Sequence, residues 1–189
     1  KETYPKGQRI FDNGTYMHSR YIDYFKKAKK LDQEEVSFQF KQRDALISGR
    51  ADVIIKDYQD MKYIGEMKSI NDRRFTEVLI ANQPLEEHLL QWNIYSFGLN
   101  IQDGFILYEN KNDQRLLTFL VQFDNNLFEQ IINKFCYIND CTKKNMLVPK
   151  PITCPNRFCS AMSSCKNDDS TRELLSHAIT DFMVKKLEN

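Results

Sequence analysis

The residues best suited to chemistry are two acids and a lysine near the middle of the chain. Thirteen residues separate Asp52 from Glu66, and Lys68 follows Glu66 by two. Two carboxylates held close together suit Mg²⁺ or Mn²⁺, which prefer oxygen ligands. Such a metal makes a bound water more acidic and offsets the charge of a phosphate, while a nearby lysine stabilises developing negative charge. The trio therefore indicates metal-dependent hydrolysis of a phosphodiester.

The two acids lie in apolar surroundings. Asp52 precedes a β-branched apolar run, and Glu66 follows another apolar run. An unpaired charge inside such a segment is costly, so each acid needs a partner. A metal ion supplies one, and a salt bridge to Lys68 or Arg50 is the alternative. The bare Asp and Glu-x-Lys pattern is common and by itself favours that alternative.

A β-hairpin is predicted to position the trio. Residues 45–55 and 63–68 have strand patterns and are joined by a polar, turn-like segment, so both acids should reach the same end of a sheet. Glu66 and Lys68 are two apart on a strand and therefore point to the same side. The other predicted elements are a helix 14–30, a strand 36–40, a loop with a helical turn 71–84, a helix 85–99, strands 104–108 and 116–123, a helix 125–135 and a helix 170–187 capped by Ser170.

Two of the predicted helices carry polar residues suited to a site. His18 shares a face with apolar Ile22 and Phe25, which places a histidine on the buried side of the first helix. Gln91 and Tyr95 are four residues apart and so are neighbours on one side of a later helix. Taken singly, His18 is better explained as a hydrogen-bonded core histidine, and the polar edge of an amphipathic helix also explains Gln91 and Tyr95.

The five cysteines crowd into one segment, 136–165. They are Cys136, Cys141, Cys154, Cys159 and Cys165. Disulfides need an oxidising compartment that nothing else in the sequence indicates, so metal ligation is the better interpretation. Four thiolates can hold Zn²⁺ tetrahedrally or an iron–sulfur cluster, and the spacing does not decide between them.

Four segments follow one another in a recognisable order: Gly14-Thr-Tyr-Met-His18, Gly49-Arg-Ala-Asp52-Val-Ile-Ile, Gly65-Glu66-Met-Lys68-Ser and Gln91-Trp-Asn-Ile-Tyr95. This series resembles the RecB-like branch of the PD-(D/E)XK nucleases. That branch includes nuclease domains of bacterial recombination helicase-nucleases, CRISPR adaptation exonucleases and many phage exonucleases. The resemblance covers residues 14–99, and the strand 104–108 also fits. Ala51 stands where the superfamily name has proline, and Glu66 where this branch more often has aspartate.

The resemblance implies an α/β fold, with one restriction-endonuclease-like domain over residues 1–189 and a central mixed β-sheet flanked by helices. It implies a Mg²⁺- or Mn²⁺-dependent deoxyribonuclease, an exonuclease on DNA that is single-stranded or has free ends, acting in recombination, repair or replication. The metal ligands it implies are His18, Asp52, Glu66 and the backbone carbonyl of Met67. The catalytic residues it implies are Asp52, Glu66, Lys68, Gln91 and Tyr95, the last two orienting the lysine and the DNA.

The cysteine segment fits this family only in part. Several RecB-like nucleases hold a 4Fe-4S cluster with one cysteine before the core and three after it, and the spacing of Cys159 and Cys165 matches their last pair. No cysteine precedes the core in this sequence, however, and Cys154 lies further from Cys159 than is usual. All four ligands would therefore come from the C-terminal segment 136–165, and zinc remains an equal alternative.

Composition limits the remaining classes. Hydrophobic residues make up 41% and charged residues 28%, which is typical of a globular domain. The net charge of +1 gives no overall support to a nucleic-acid partner, so a basic track must be local. No apolar run is long enough to span a bilayer, and the polar start lacks the pattern of a leader. These features predict a cytoplasmic or nuclear location, or the host cytoplasm for a viral protein, with no membrane partner.

The expected partners are DNA and a protein partner in a recombination or replication complex. Two alternatives to a deoxyribonuclease stay open. An RNA endonuclease of the cap-snatching type also uses a histidine, acids and a lysine on this fold, although Gln91 and Tyr95 favour the RecB-like branch. A non-catalytic module that binds nucleic acid or protein is the other alternative, against which the intact Asp52, Glu66 and Lys68 argue.

Overall fold

The computed structural model describes residues 5–146 and 148, with side chains from residue 12 onward. The chain divides into two compact units, Lys1–Cys136 and Tyr137–Asn189, and the sheet lies in the first. That the whole chain forms one domain stays a prediction. The predicted helix 170–187 lies outside the described residues. No helix in the described part of the chain combines the length and apolarity that crossing a membrane requires.

A five-stranded sheet forms the centre of the first unit. Its strands follow chain order in space: β1 (Leu31–Gln42), β2 (Ala45–Lys56), β3 (Lys62–Ile70), β4 (Asp103–Asn110) and β5 (Leu116–Gln122). All neighbours are antiparallel except β3 and β4, which are parallel. Parallel neighbours need a crossover connection, and two helices supply it. The α/β class with a central mixed sheet and the predicted hairpin of β2 and β3 are thus confirmed.

Four helices accompany the sheet in the described residues: α1 (Pro5–Lys27), α2 (Asp72–Ala81), α3 (Glu86–Leu99) and α4 (Asn125–Lys143). Alternate residues of β4 enter different apolar clusters, because successive side chains of a strand point to opposite faces. Ile106 and Tyr108 pack with residues of α2 and α3. Phe105 and Leu107 pack with residues of α1. The central strands are therefore covered by helices on both faces, which explains why β4 is buried along nearly its whole length.

Four local predictions need correction. Helix α1 begins at Pro5, and from residue 12 onward its buried residues are Met17 and Tyr21 rather than His18. The larger apolar side chains occupy the centre of the cluster against the sheet, so His18 lies at its margin. The segment expected to be a loop at 71–84 contains α2, which is capped by Asn71 where its side chain accepts a 2.9 Å hydrogen bond from the Arg74 amide.

The other two corrections concern α3 and α4. The buried residues of α3 are Trp92, Asn93, Tyr95 and Ser96, whereas Phe97 of the expected apolar stripe is 36% exposed. The middle of α3 is covered on several sides, so its buried residues do not form a single stripe. Helix α4 runs on to Lys143, so the cysteine segment is helical at its start instead of irregular.

Gly104 allows β4 to approach β3 closely. A Cβ at this position would lie 2.1 Å from the carbonyl oxygen of Ile64 and 2.8 Å from the Trp92 ring. The same carbonyl accepts a hydrogen bond from the indole N–H of Trp92, with an N to O distance of 3.2 Å. The missing side chain thus lets α3 and the parallel strand pair meet at one point.

We therefore expect Gly104→Ala to lower the free energy of unfolding by about 2 kcal/mol or more, because the backbone of β3 must shift to make room. Denaturant unfolding of the purified variant measures this. Gly14→Ala is the matched control: it lies in α1, where an added Cβ would have no atom within 4 Å, so it should be neutral or stabilise by about 0.5–1 kcal/mol. Equal stabilities of the two variants would contradict the packing described.

Candidate functional site

The site begins where β2 and β3 stop pairing. The last residue pair of the two strands towards the site is Val53 with Gly65. Beyond this pair, side chains and not the backbone of β2 form hydrogen bonds with the backbone of Met67 on this side of β3. Its N–H donates to Asp52 Oδ2 at 2.8 Å, and its carbonyl lies 3.0 Å from His18 Nε2. Two predicted site residues therefore satisfy the backbone groups that the separated strands leave open.

His18 and Asp52 also meet each other directly. His18 Nδ1 lies 3.4 Å from Asp52 Oδ1. The histidine comes from α1 on one face of the sheet, and the acid comes from β2. The His18 side chain is 36% exposed and that of Asp52 is 17% exposed, so the pair lies at the rim of the core. Their approach agrees with the predicted convergence of a helix-borne imidazole and a strand-borne acid.

Glu66 and Lys68 begin a polar chain that reaches α3. The ammonium of Lys68 pairs with Glu66 Oε1. It also donates to Gln91 Oε1 at 3.0 Å, and the amide nitrogen of Gln91 donates to the hydroxyl of Tyr95. All four residues were predicted for the site, and the structure joins them in one hydrogen-bonded series. The lysine is thereby held in place by two oxygens from different elements.

The second oxygen of Glu66 has no partner. Glu66 is 1% exposed, and its Oε2 is buried without a hydrogen bond. Burial, together with the negative charge of Asp52 and against the opposing charge of Lys68, raises the pKa of Glu66 to about 7. Burial also raises the pKa of Asp52, although His18 and the Met67 amide oppose the shift. A buried, unpartnered carboxylate oxygen beside a second carboxylate is a donor set that fits a divalent cation.

The ligands predicted from the resemblance meet in pairs rather than around one point. Within residues 5–146 and 148, no group of three or more histidine, cysteine, aspartate or glutamate side chains lies close enough together to hold a metal ion. Asp52 is the shared member, since it contacts His18 and raises the pKa of Glu66. The carbonyl of Met67, the residue after Glu66, is hydrogen-bonded to His18.

Helix α3 packs against the sheet next to the hydrogen-bonded series that runs from Glu66 to Tyr95. Tyr95 is 8% exposed, and burial with the nearby charge of Glu66 raises its pKa to about 12, so it keeps its proton. The Phe38 ring packs edge-on against it, with centroids 5.5 Å apart. A side chain on Gly49 would come within 3.1 Å of Tyr95 and 2.6 Å of Phe38. The glycine three residues before Asp52 therefore makes room for the tyrosine.

His88 lies next to these residues, and the sequence analysis did not single it out. It lies three residues before Gln91 on α3, and its Nδ1 is 2.9 Å from the hydroxyl of Tyr108. Tyr108 is the β4 residue in register with Lys68. Burial, then the positive charge of Lys68, lowers the pKa of His88 to about 4. The spacing to Gln91 was the available signal, because residues three apart on a helix are neighbours.

Two of the five cysteines lie in the part of the chain that the structure describes. Cys136 and Cys141 are free thiols on α4; Cys136 packs partly buried against a cluster containing Phe128 and Ile132, while Cys141 is buried. The remaining three, Cys154, Cys159 and Cys165, lie outside the described residues. Metal binding by the five cysteines stays a prediction.

Comparison with known proteins identifies solved structures with a similar fold. No protein-family model and no curated protein matches the sequence. Among solved structures, LHK-Exo in complex with dAMP is 14% identical, with a TM-score of 0.57 over 76% of this chain and 72% of that chain. The alkaline exonuclease LHK-Exo from Laribacter hongkongensis is 15% identical, with a TM-score of 0.54 over 70% of this chain and 67% of that chain. SSO0001 is 18% identical, with a TM-score of 0.49 over 67% and 59%.

Two of these solved structures are of the alkaline exonuclease LHK-Exo. At these identities the likeness is one of fold.

The lowered pKa of His88 predicts an acid-sensitive fold. An unfolded histidine titrates near 6.5, whereas burial, together with the positive charges of Lys68 and Arg74 and against the negative charge of Glu87, lowers the pKa of folded His88 to about 4. As the pH falls below 6.5, the unfolded chain binds a proton that the folded protein does not, so stability is lost, by up to about 2 kcal/mol at pH 5. His88→Asn removes this titration and should lose less stability between pH 7 and pH 5 in denaturant unfolding. If wild type and His88→Asn lost the same free energy of unfolding between pH 7 and pH 5, the prediction would be wrong.

Proposed function

We propose that the protein is a Mg²⁺- or Mn²⁺-dependent deoxyribonuclease, and specifically an exonuclease on DNA that is single-stranded or has free ends, acting in recombination, repair or replication. The observation that carries the proposal is the buried, unpartnered oxygen of Glu66, which lies beside Asp52 where β2 and β3 separate. The fold shared with alkaline exonucleases supports it, and so does the dAMP bound in one of those structures.

The metal would draw together Asp52, Glu66, the carbonyl of Met67 and His18, which meet in pairs in this structure. These donors are oxygens and one imidazole nitrogen, a set that suits Mg²⁺ and Mn²⁺. When bound, the ion makes a coordinated water more acidic and offsets negative charge on the phosphate. Asp52 is already hydrogen-bonded to the Met67 amide, so one of its oxygens is fixed in direction before any ion arrives.

Lys68 would act on the substrate itself. Its ammonium lies between Glu66 Oε1 and Gln91 Oε1 and its side chain is 24% exposed, so a phosphate can reach it. A fixed cation at this point stabilises the negative charge that grows on the phosphate oxygens as the bond breaks. Gln91 and Tyr95 are positioning residues, because they hold the lysine without needing to touch the reacting atoms.

We also propose that Cys141, Cys154, Cys159 and Cys165 bind zinc or a 4Fe-4S cluster. All four belong to the second compact unit, Tyr137–Asn189, whereas Cys136 ends the first unit and packs in an apolar cluster there. Residues five apart on a helix differ in direction by roughly 140°, so Cys136 and Cys141 do not face the same side of α4. Such a centre is a platform for the protein partner proposed in a recombination or replication complex.

Cleavage of labelled DNA tests the proposed activity. Wild-type protein with Mg²⁺ or Mn²⁺ should degrade single-stranded DNA, and EDTA should stop it. Lys68→Ala should lower the rate by roughly 100-fold or more, because a preorganised charge is removed from the reacting phosphate. Lys41→Ala, at an exposed position of β1, is the matched control and should cleave like wild type.

Three outcomes separate the alternatives. RNA of the same sequence cut faster than DNA would favour the RNA endonuclease. Binding of DNA without turnover in any metal would favour a non-catalytic module. A circular single strand that survives while the linear form is degraded would support the exonuclease.

A further inference from the structure

We propose that His88 is a further nucleic-acid-binding residue, whose Nε2–H donates a hydrogen bond to a phosphate of the DNA strand next to Lys68. The inference rests on the proposed function and adds a residue to its site.

The position of His88 follows from contacts with β4. Its Nδ1 lies 2.9 Å from the Tyr108 hydroxyl, and the two rings are 5.5 Å apart between centroids. Tyr108 is in register with Lys68 of the neighbouring parallel strand, so the two side chains are on the same face of the sheet. His88 also precedes Gln91, the acceptor of the Lys68 ammonium, by less than one helical turn. The imidazole therefore lies beside the lysine on the same side of the sheet.

The hydrogen bonds of Tyr108 fix the tautomer of His88. Tyr108 is 0% exposed, and its oxygen accepts a 3.0 Å hydrogen bond from the Leu85 amide. Its own proton then needs an acceptor, because a buried hydroxyl proton without a partner is costly. The only hydrogen bond described for it besides the Leu85 amide is the one to His88 Nδ1. Nδ1 therefore accepts, and the proton of the neutral imidazole is on Nε2.

Nε2–H consequently lies on the side of the ring away from the Tyr108 bond. His88 is half-buried, so part of the imidazole is open to a ligand. Burial and the charge of Lys68 keep the ring neutral at physiological pH, which makes it a permanent N–H donor and never an acceptor at Nε2. A donor of this kind suits an anionic ligand.

The surrounding charge favours a phosphate. Lys68 and Arg74 both act on His88 as positive charges, and Glu87 is the negative one. Glu87 is paired with Arg74 at 2.7 Å. The DNA backbone would thus contact one charged donor, the ammonium of Lys68, and one neutral donor, the N–H of His88. The second donor extends the contact along the DNA strand beyond the scissile bond.

Two amide substitutions distinguish binding from structural support. In His88→Asn the amide takes the place of Nδ1, so the contact with Tyr108 is kept and the distal donor is lost. In His88→Gln the amide reaches the place of Nε2, so the distal donor is kept and the contact with Tyr108 is weakened. We would measure the Kd of both variants and wild type for a fluorescent single-stranded oligonucleotide in EDTA, where no cleavage occurs, and then kcat/KM with Mn²⁺. Thermal unfolding at pH 7.5 shows whether each variant is folded.

The proposal expects His88→Asn to weaken binding and lower kcat/KM by about tenfold, the size of one hydrogen bond to a charged group, while His88→Gln stays within about threefold of wild type. The salt dependence of Kd should be unchanged in both, because the lost donor is neutral. The reverse order, with Asn like wild type and Gln impaired, would overturn the proposal in favour of a structural role. If wild type binds and cleaves DNA and both variants do so equally well, the inference about His88 is wrong while the proposed function stands. A wild type that neither binds nor cuts DNA would overturn the proposed function as well.

Discussion

The site depends on the separation of two antiparallel strands. β2 and β3 pair as far as Val53 and Gly65, and beyond that point the amide and carbonyl of Met67 are satisfied by Asp52 and His18. Buried backbone groups must be paired, so this arrangement ties an acid from the sheet and an imidazole from α1 to the same residue. A continuous ladder would have been more regular, but it would have left no room for side chains to converge there.

The second constraint is electrostatic. Glu66 is almost completely buried beside another acid, and one of its oxygens lacks a partner. Lys68 compensates part of this charge, and Gln91 and Tyr95 hold the lysine in turn. Such an arrangement lowers stability in the absence of a cation, which is typical of sites where function sets the residue types. The apolar clusters on both faces of the sheet, with Trp92 and Tyr108 fully buried, hold these groups in place.

Much of this arrangement could be predicted from the sequence. The β-branched apolar run after Asp52 and the Glu66-x-Lys68 spacing predicted the hairpin, because strand patterns are a local property of the sequence. The partners of Lys68 on α3 came from the order of motifs. Tertiary packing decides the features that the sequence did not predict. Only a helical turn was predicted where α2 forms, because its buried residues, Phe75 and Val78, are few among charged neighbours. The burial of Met17 in place of His18 depends on the sheet that α1 meets. His88 was missed because its partner, Tyr108, is distant in the chain.

Calorimetric titration of the protein with Mn²⁺ tests the central claim most directly. The account predicts saturable binding to wild type, at least tenfold weaker binding to Asp52→Asn, which removes a charged ligand, and unchanged binding to Asp60→Asn, which removes the same charge from an exposed turn residue. If Asp52→Asn bound Mn²⁺ as tightly as wild type, or if Asp60→Asn weakened binding equally, the acids where β2 and β3 separate would not be a metal site.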